Sequence, residues 1–303
     1  MCTEASNFQP STELNLSCKR VLNQRLFQFI NVEVLNEKPA LLRIHKFGGD
    51  QMTKQVYKAF MSSTDVENQR VEGHQYSAGH RGRIADGLWL EHHESAVQPL
   101  FKRLQTVLRI NPAIAENFLI LKYDVLGHYA PHYDHLFPMD RDYDDGWFEF
   151  FGNRMATALL IVETAKQGGG TVFPLLNLTI QPEKGIQNSN QIKTPQKQLF
   201  PGDLLLWMNA DSNDNKENLS LHAACPIEKG EKMAVSLWFR ANFQDRLQSS
   251  IEDERYDAQT LIETKHDHKL RFDSRPQIHF DDYDMWPVEE LDEEAYERGF
   301  YYE

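Results

Sequence analysis

Residues 119–138, LILKYDVLGHYAPHYDHLFP, place three histidines (His128, His132 and His135) and two aspartates (Asp124 and Asp134) within twelve positions. Imidazoles and carboxylates at this density are a donor set for a metal. His132 and Asp134 stand two apart, so on a strand both side chains leave the same face. A lone His-x-Asp is weak in a chain with twelve histidines, and a second imidazole from a distant strand is needed. His222, in NLSLHAACPIEKGEKMAVSLWF, follows the polar loop 209–218 and is the best candidate. Two histidines and one carboxylate on one face leave half of an octahedral metal open, as in the non-haem Fe(II) oxygenases. Zinc accepts the same ligands, and spacing leaves it open. His135 is expected on the opposite face of the strand and His128 in the turn before it, both as surface or supporting residues.

Three further residues could hold an anion beside such a metal. Lys232, ten positions after His222, heads a strongly apolar strand, either as an edge residue or as a buried cation. Thr171 in GGGTVFP supplies a hydroxyl, and Tyr123, nine positions before His132, supplies a phenol. A dicarboxylate held by the metal at one end and by Lys232, Thr171 and Tyr123 at the other is what 2-oxoglutarate would require.

Such residues need a scaffold that presents them on one face. GGDQMTKQVYKAFM is expected to open a helix near Asp50, with Met52, Val56, Tyr57 and Phe60 at helical spacing. ESAVQPLFKRLQTVLRI is expected to form a second, with Val97, Leu100, Phe101, Leu104 and Leu108 on one face. Both stripes read as core packing. From Asn117 the pattern changes to short β-rich runs, namely FLILKY, MATALLIV, GTVFP, DLLLWM and KMAVSLWF. Turn-rich pieces such as KQGGG, FPGD and NADSNDN separate them. The fold class predicted is mainly β with supporting helices, a barrel or jelly roll.

Composition narrows the partners. The chain has 303 residues and a net charge of −13, and residues 251–303 carry 17 Asp and Glu against 6 Lys and Arg. That argues against nucleic acid, which needs a basic face. No apolar run of about 18 residues is present, so no transmembrane segment is expected. The start, MCTEASNFQPSTELN, lacks the basic and apolar pattern of a secretory signal. Cys2, Cys18 and Cys225 permit at most one disulfide. The expected organisation is a lead-in over 1–40, a catalytic domain over 41–245 and an acidic, flexible tail over 246–303. Within the tail, IHFDDYDMW and RGFYYE hold aromatics that could dock, but a solvated segment is the simpler reading.

Taken together, Tyr123, Gly127, Tyr129, His132 and Asp134, then GNRMAT, GGGTVFP, PGDLLLW and HAACPIEKGEK, resemble the catalytic domain of collagen prolyl 4-hydroxylase alpha subunits. The likeness covers roughly residues 41–245 in order and spacing. CKRVLNQRLFQFINVEVLNEKPALLRIHKF resembles the segment leading into that domain more loosely. The resemblance implies a double-stranded β-helix holding Fe(II) and 2-oxoglutarate, with L-ascorbate as rescuing reductant and succinate and CO2 released. It makes His132, Asp134 and His222 the iron ligands and Lys232 the partner of the distal carboxylate. Thr171 and Tyr123 would be hydrogen-bond partners of 2-oxoglutarate. Tyr129 and Arg154 would line a channel for a proline-rich or collagen-like peptide, with Trp238 an aromatic beside the active site. Lysyl and oxygen-sensing hydroxylases resemble this layout but carry arginine where Lys232 stands.

The family also implies the endoplasmic reticulum lumen and assembly with protein disulfide isomerase or another subunit. Without a leader a cytosolic site stays open, and 303 residues leave no room for the N-terminal domains of a full alpha subunit. Cys2 and Cys18 are spaced much like one family disulfide; Ser250 stands where the family partner of Cys225 would be. The acidic loop MDRDYDDGW could favour basic peptide flanks, though a solvated loop is the simpler account. The same chemistry on another protein, and a non-catalytic peptide binder, are the remaining readings; the intact ligand set argues against the second.

Overall fold

A computed structural model describes residues 17–23, 26–69, 82–137, 147–182, 197–258 and 260–263. In chain order the first strands are β1 (Ser17–Asn23), β2 (Gln28–Asn36), β3 (Leu41–Ile44), β4 (Glu67–Gln69) and β5 (Arg83–Leu90). They are followed by β6 (Phe118–Tyr123), β7 (His128–His132), β8 (Arg154–Glu163), β9 (Gln167–Gly168), β10 (Thr171–Phe173) and β11 (Leu178–Pro182). The last are β12 (Lys197–Leu199), β13 (Leu204–Met208), β14 (His222–Ala224), β15 (Ile227–Lys229) and β16 (Lys232–Arg240). Helices α1 (Gly49–Ser62) and α2 (Gln98–Val107) fall where the helical stripes predict them, and a short α3 spans Trp147–Phe151.

Thirteen strands form one path, β1-β2-β3-β13-β8-β16-β6-β5-β7-β14-β10-β11-β12, with β4 paired to β5 off it and β9 and β15 forming a separate two-stranded sheet. The path turns a corner at β5, whose later residues pair with β6 and whose first two, Arg83 and Ile84, pair with β7. Two sheets therefore face each other as a jelly roll, mainly β with supporting helices, as predicted. The period-2 geometry of a strand explains what each face does. In β16, Met233, Val235, Leu237 and Phe239 belong to the large core beneath α1 and α2. The alternate residues Lys232, Ala234, Ser236 and Trp238 line a cavity between the sheets. All nine residues of β16 are buried, because both faces are covered. Val56 and Phe60 of α1, and Leu100, Leu104 and Val107 of α2, close the outer core.

A buried ion pair ties β3 to the turn before β13. Arg43 donates through Nε (3.0 Å) and Nη2 (2.6 Å) to Asp203 Oδ2, whose other oxygen accepts the Lys46 N–H at 3.0 Å. Asp203→Ala leaves the buried guanidinium with only the longer, 3.4 Å contact to Glu33 Oε2 and is expected to destabilise the protein by about 3 kcal/mol. Urea unfolding checks this; a loss under 1 kcal/mol would contradict it.

Two expected boundaries do not coincide with edges of the packed body. β1 and β2, within the expected lead-in, extend the large sheet through β3. Past residue 245, Ala258, Leu261 and Ile262 are buried in the main core, and Glu263 N–H donates to Val107 O at 2.7 Å. Residues 246–258 and 260–263 thus include core contacts made by apolar side chains within an acidic stretch. The rest of the tail, with both aromatic motifs, lies outside the described residues, as does Cys2. A Cys2–Cys18 bridge is not formed: Cys18 is an exposed free thiol, whereas buried Cys225 is disulfide-bonded. No helix among the described residues is long and apolar enough to cross a membrane.

Candidate functional site

The tight turn between β6 and β7 delivers the histidine strand. Gly127 N–H donates to Asp124 O at 2.7 Å, and a Cβ at Gly127 would lie equally close to that oxygen. Antiparallel pairing of β14 with β7 then sets His222 opposite His132. Asp134 follows just past the end of β7. Ligand atoms of His132, Asp134 and His222 all lie within 4.8 Å of one another, and all three residues are buried.

The imidazoles are set for ligation by their own backbone. His132 Nδ1 lies 2.8 Å from Ala130 O, and His222 Nδ1 lies 2.9 Å from Ser220 O. A carbonyl only accepts, so each Nδ1 carries the hydrogen and each Nε2 keeps its lone pair. Those Nε2 atoms face Asp134, at 3.6 Å from Oδ1 for His132 and 3.5 Å from Oδ2 for His222. Tyr129 stacks on the His132 ring at 3.5 Å, and Trp207 meets the His222 ring edge-on at 4.7 Å. Burial, aided by neighbouring His132, pushes His222 down to about 4, so it is neutral and able to ligate near neutral pH. Burial alone would raise the Asp134 carboxyl, but the positive charge that His222 and His132 carry when protonated, with that of Arg154, outweighs it and holds it well below the carboxylate range. This donor set suits a divalent metal with open positions.

The same cavity holds Lys232, Thr171 and Tyr123. Lys232 Nζ donates to Gly169 O at 3.0 Å and to Thr171 Oγ1 at 3.1 Å. Tyr123 is its register partner on β6. Burial pushes the Lys232 amine down to about 8 and the Tyr123 phenol up to about 12. No carboxylate among the described residues pairs with Lys232. A buried cation whose partners are a carbonyl and a hydroxyl is matched to an anion.

Trp238 and Tyr129 also line this cavity. Arg154 lies over the Trp238 ring at 4.3 Å and grips Glu116 with two hydrogen bonds, of 2.6 and 2.7 Å. Sequence reasoning missed Glu116, and Arg240, whose Nη2 lies 2.7 Å from Glu116 Oε1. It also missed Thr157, whose hydroxyl donates to Asp134, and Asn209, which donates to that hydroxyl. The only signal for Thr157 was a lone hydroxyl in the apolar run MATALLIV. His128 opens β7 rather than sitting in the preceding turn, with Nδ1 on Leu126 O at 2.9 Å. His135 is a buried supporting residue: its Nε2 lies 3.0 Å from Asn153 Nδ2 and 3.2 Å from Asp214 Oδ1.

Residues 118–240, from β6 to the end of β16, match the family model of the 2OG-Fe(II) oxygenase superfamily. That stretch is similar to a dioxygenase domain of that class. Prolyl 4-hydroxylase subunit alpha-1 of Rattus norvegicus is 26% identical over 254 residues, covering 80% of this chain and 43% of that protein. The protein of that name in Caenorhabditis elegans is 31% identical over 159 residues, covering 52% and 25%. The chain thus spans less than half the length of the curated relatives it matches. Among solved structures, the viral collagen prolyl hydroxylase vCPH from Paramecium Bursaria Chlorella virus-1, in its 2OG complex, is 19% identical with a TM-score of 0.45. That match covers 66% of this chain and 96% of the viral one.

Proposed function

We propose that the protein is a prolyl 4-hydroxylase, acting on collagen-like or other proline-rich peptides with O2 and 2-oxoglutarate and releasing succinate and CO2. The observation that carries this reading is one buried cavity lined both by His132, Asp134 and His222 and by Lys232, a lysine with no carboxylate partner among the described residues. His132, Asp134 and His222 would hold Fe(II), and Lys232, with Thr171 and Tyr123, would hold the distal carboxylate of 2-oxoglutarate. Together these groups supply the O2-activating chemistry that places one oxygen atom on a C–H bond and the other in succinate.

The chain's own part is binding and exclusion. Lys232 meets the anion inside a low-dielectric wall, where a charge-assisted hydrogen bond is strong. Leu121, Leu159 and Ala234 add apolar surface to the lining of the same cavity. Tyr129, Trp238 and Arg154 would flank the substrate: aromatic faces suit a proline-rich peptide already in the extended left-handed helix. L-Ascorbate would restore Fe(II) after uncoupled cycles. The lumen of the endoplasmic reticulum and association with protein disulfide isomerase or another subunit complete the reading, on the strength of the relatives.

The test is incubation with Fe(II), ascorbate, 2-oxoglutarate and a (Pro-Pro-Gly)-type peptide, read by mass spectrometry. Hydroxyproline and succinate in equal amounts are expected. Succinate without peptide oxidation would keep the oxygenase chemistry and reject the substrate; neither product from folded, iron-loaded protein would reject the enzyme.

A further inference from the structure

Asp134 is held from behind by two residues that the metal cluster itself does not include. Thr157, a cavity-facing residue of β8, donates its hydroxyl to Asp134 Oδ2 at 2.7 Å. The Asn209 side chain, just past the end of β13, donates Nδ2–H to the same hydroxyl oxygen at 2.8 Å. A threonine hydroxyl has one hydrogen, and an ionised carboxylate can only accept. Both contacts are satisfied in one direction alone, from Asn209 to Thr157 to Asp134.

That direction has a cost at its far end. With Nδ2 turned to Thr157, Asn209 Oδ1 is buried without a partner among the described residues. Asn209 has no exposed surface, and its backbone is locked: its N–H donates to Met155 O at 2.7 Å and its O accepts from Glu217 N–H at 2.8 Å. An orphaned buried oxygen is unfavourable. Packing alone therefore gives no reason for asparagine here, since a leucine would have nearly the same shape without the unpaired oxygen.

We infer that Thr157 and Asn209 are positioning residues for the metal centre. The relay from Asn209 through the Thr157 hydroxyl engages Asp134 Oδ2, which also lies 3.5 Å from His222 Nε2, and leaves Oδ1, 3.6 Å from His132 Nε2, as the ligating oxygen. A carboxylate confined to one metal bond keeps the remaining positions open for a two-pronged cosubstrate and O2. This assignment rests on the oxygenase reading above, since it takes His132, Asp134 and His222 to be metal ligands.

The experiment is an anaerobic Fe(II) titration of the whole chain by calorimetry, with melting of the metal-free protein measured in parallel. Thr157→Val and Asn209→Leu are expected to weaken Fe(II) binding by about 10- to 100-fold, the scale of outer partners of metal ligands. Thr157→Ser keeps the hydroxyl and stays near wild type. Metal-free Asn209→Leu melts at or above the wild-type temperature, because the orphaned oxygen is gone. A purely structural role predicts the reverse, a lower melting temperature with unchanged affinity. Wild-type Fe(II) affinity in folded Thr157→Val, or in Asn209→Leu if the first variant does not fold, overturns the positioning role and leaves the oxygenase reading standing. A wild-type protein that takes up no Fe(II) overturns both.

Discussion

Replacing His222 by alanine lowers Fe(II) affinity and 2-oxoglutarate turnover by more than about 100-fold, because losing an outer partner of a ligand alone costs about 10- to 100-fold. The effect is large because the cluster has little redundancy. His132, Asp134 and His222 are the one group of three or more His, Cys, Asp or Glu side chains among the described residues placed to hold a metal. His135 is too committed to substitute, since its Nε2 already faces Asn153 and Asp214. His132→Ala has the same consequence and also removes the ring under Tyr129. Bound iron and succinate release are measured side by side, with circular dichroism as the check on folding. Turnover within tenfold of wild type in a folded His222→Ala protein would remove this residue from the metal centre. Zn(II) in place of Fe(II) is expected to bind and to support no turnover, which separates the two metals that the ligand types alone allow.

Lys232→Met is the second large effect. Truncating one partner of a buried, hydrogen-bonded charge pair costs about 2–5 kcal/mol, or roughly 30- to 5,000-fold in the KM for 2-oxoglutarate. The loss falls on KM for the cosubstrate rather than on Fe(II) affinity, since Lys232 hydrogen-bonds Gly169 O and Thr171 Oγ1 and not the metal cluster. An unchanged KM would show that the anion binds elsewhere. The amine also sets a pH dependence. Burial lowers it from 10.5 to about 8, so above pH 8 the folded protein loses the ammonium that the anion needs. Affinity for 2-oxoglutarate is then expected to fall by up to about tenfold per pH unit above 8. The stability of the unliganded protein moves the other way. Between about 8 and 10.5 the unfolded chain holds the extra proton, so stability rises with pH across that window. Lys232→Met abolishes both trends, and a pH titration of binding beside urea unfolding reads them separately.

Much of this was legible in order of residue types. His132 and Asp134 two apart on a β-rich run, His222 beyond a polar loop and Lys232 heading an apolar strand are local features, and strand periodicity carries them to one face. In KMAVSLWF the two faces alternate, although only the structure shows which is cavity and which is core. The two helical stripes likewise sit on their own periodicity, and both helices formed where the pattern put them.

Register and return contacts were not legible, because they are made between segments far apart in the chain. Only the β14–β7 pairing sets His222 against His132, and only the β16–β6 pairing sets Lys232 beside Tyr123. Asn209 and Asp134 are 75 positions apart in sequence and meet through Thr157, because β8 pairs with β13 and its Thr157 hydroxyl reaches Asp134. Arg154 was expected along the peptide channel, but its ion pair with Glu116 and its place over Trp238 are contacts that no local pattern announces. The lead-in and the start of the acidic tail read as appendages because charge and composition are local averages. Ala258, Leu261 and Ile262 are few against many acids, and a few apolar residues with a cavity to fill decide where the chain packs. Residue types and spacing determined the chemistry this protein can support; which side chains meet, and which hydrogen bonds orient them, was decided by strand pairing, since that is set by the total burial of the sheet and not by any one segment.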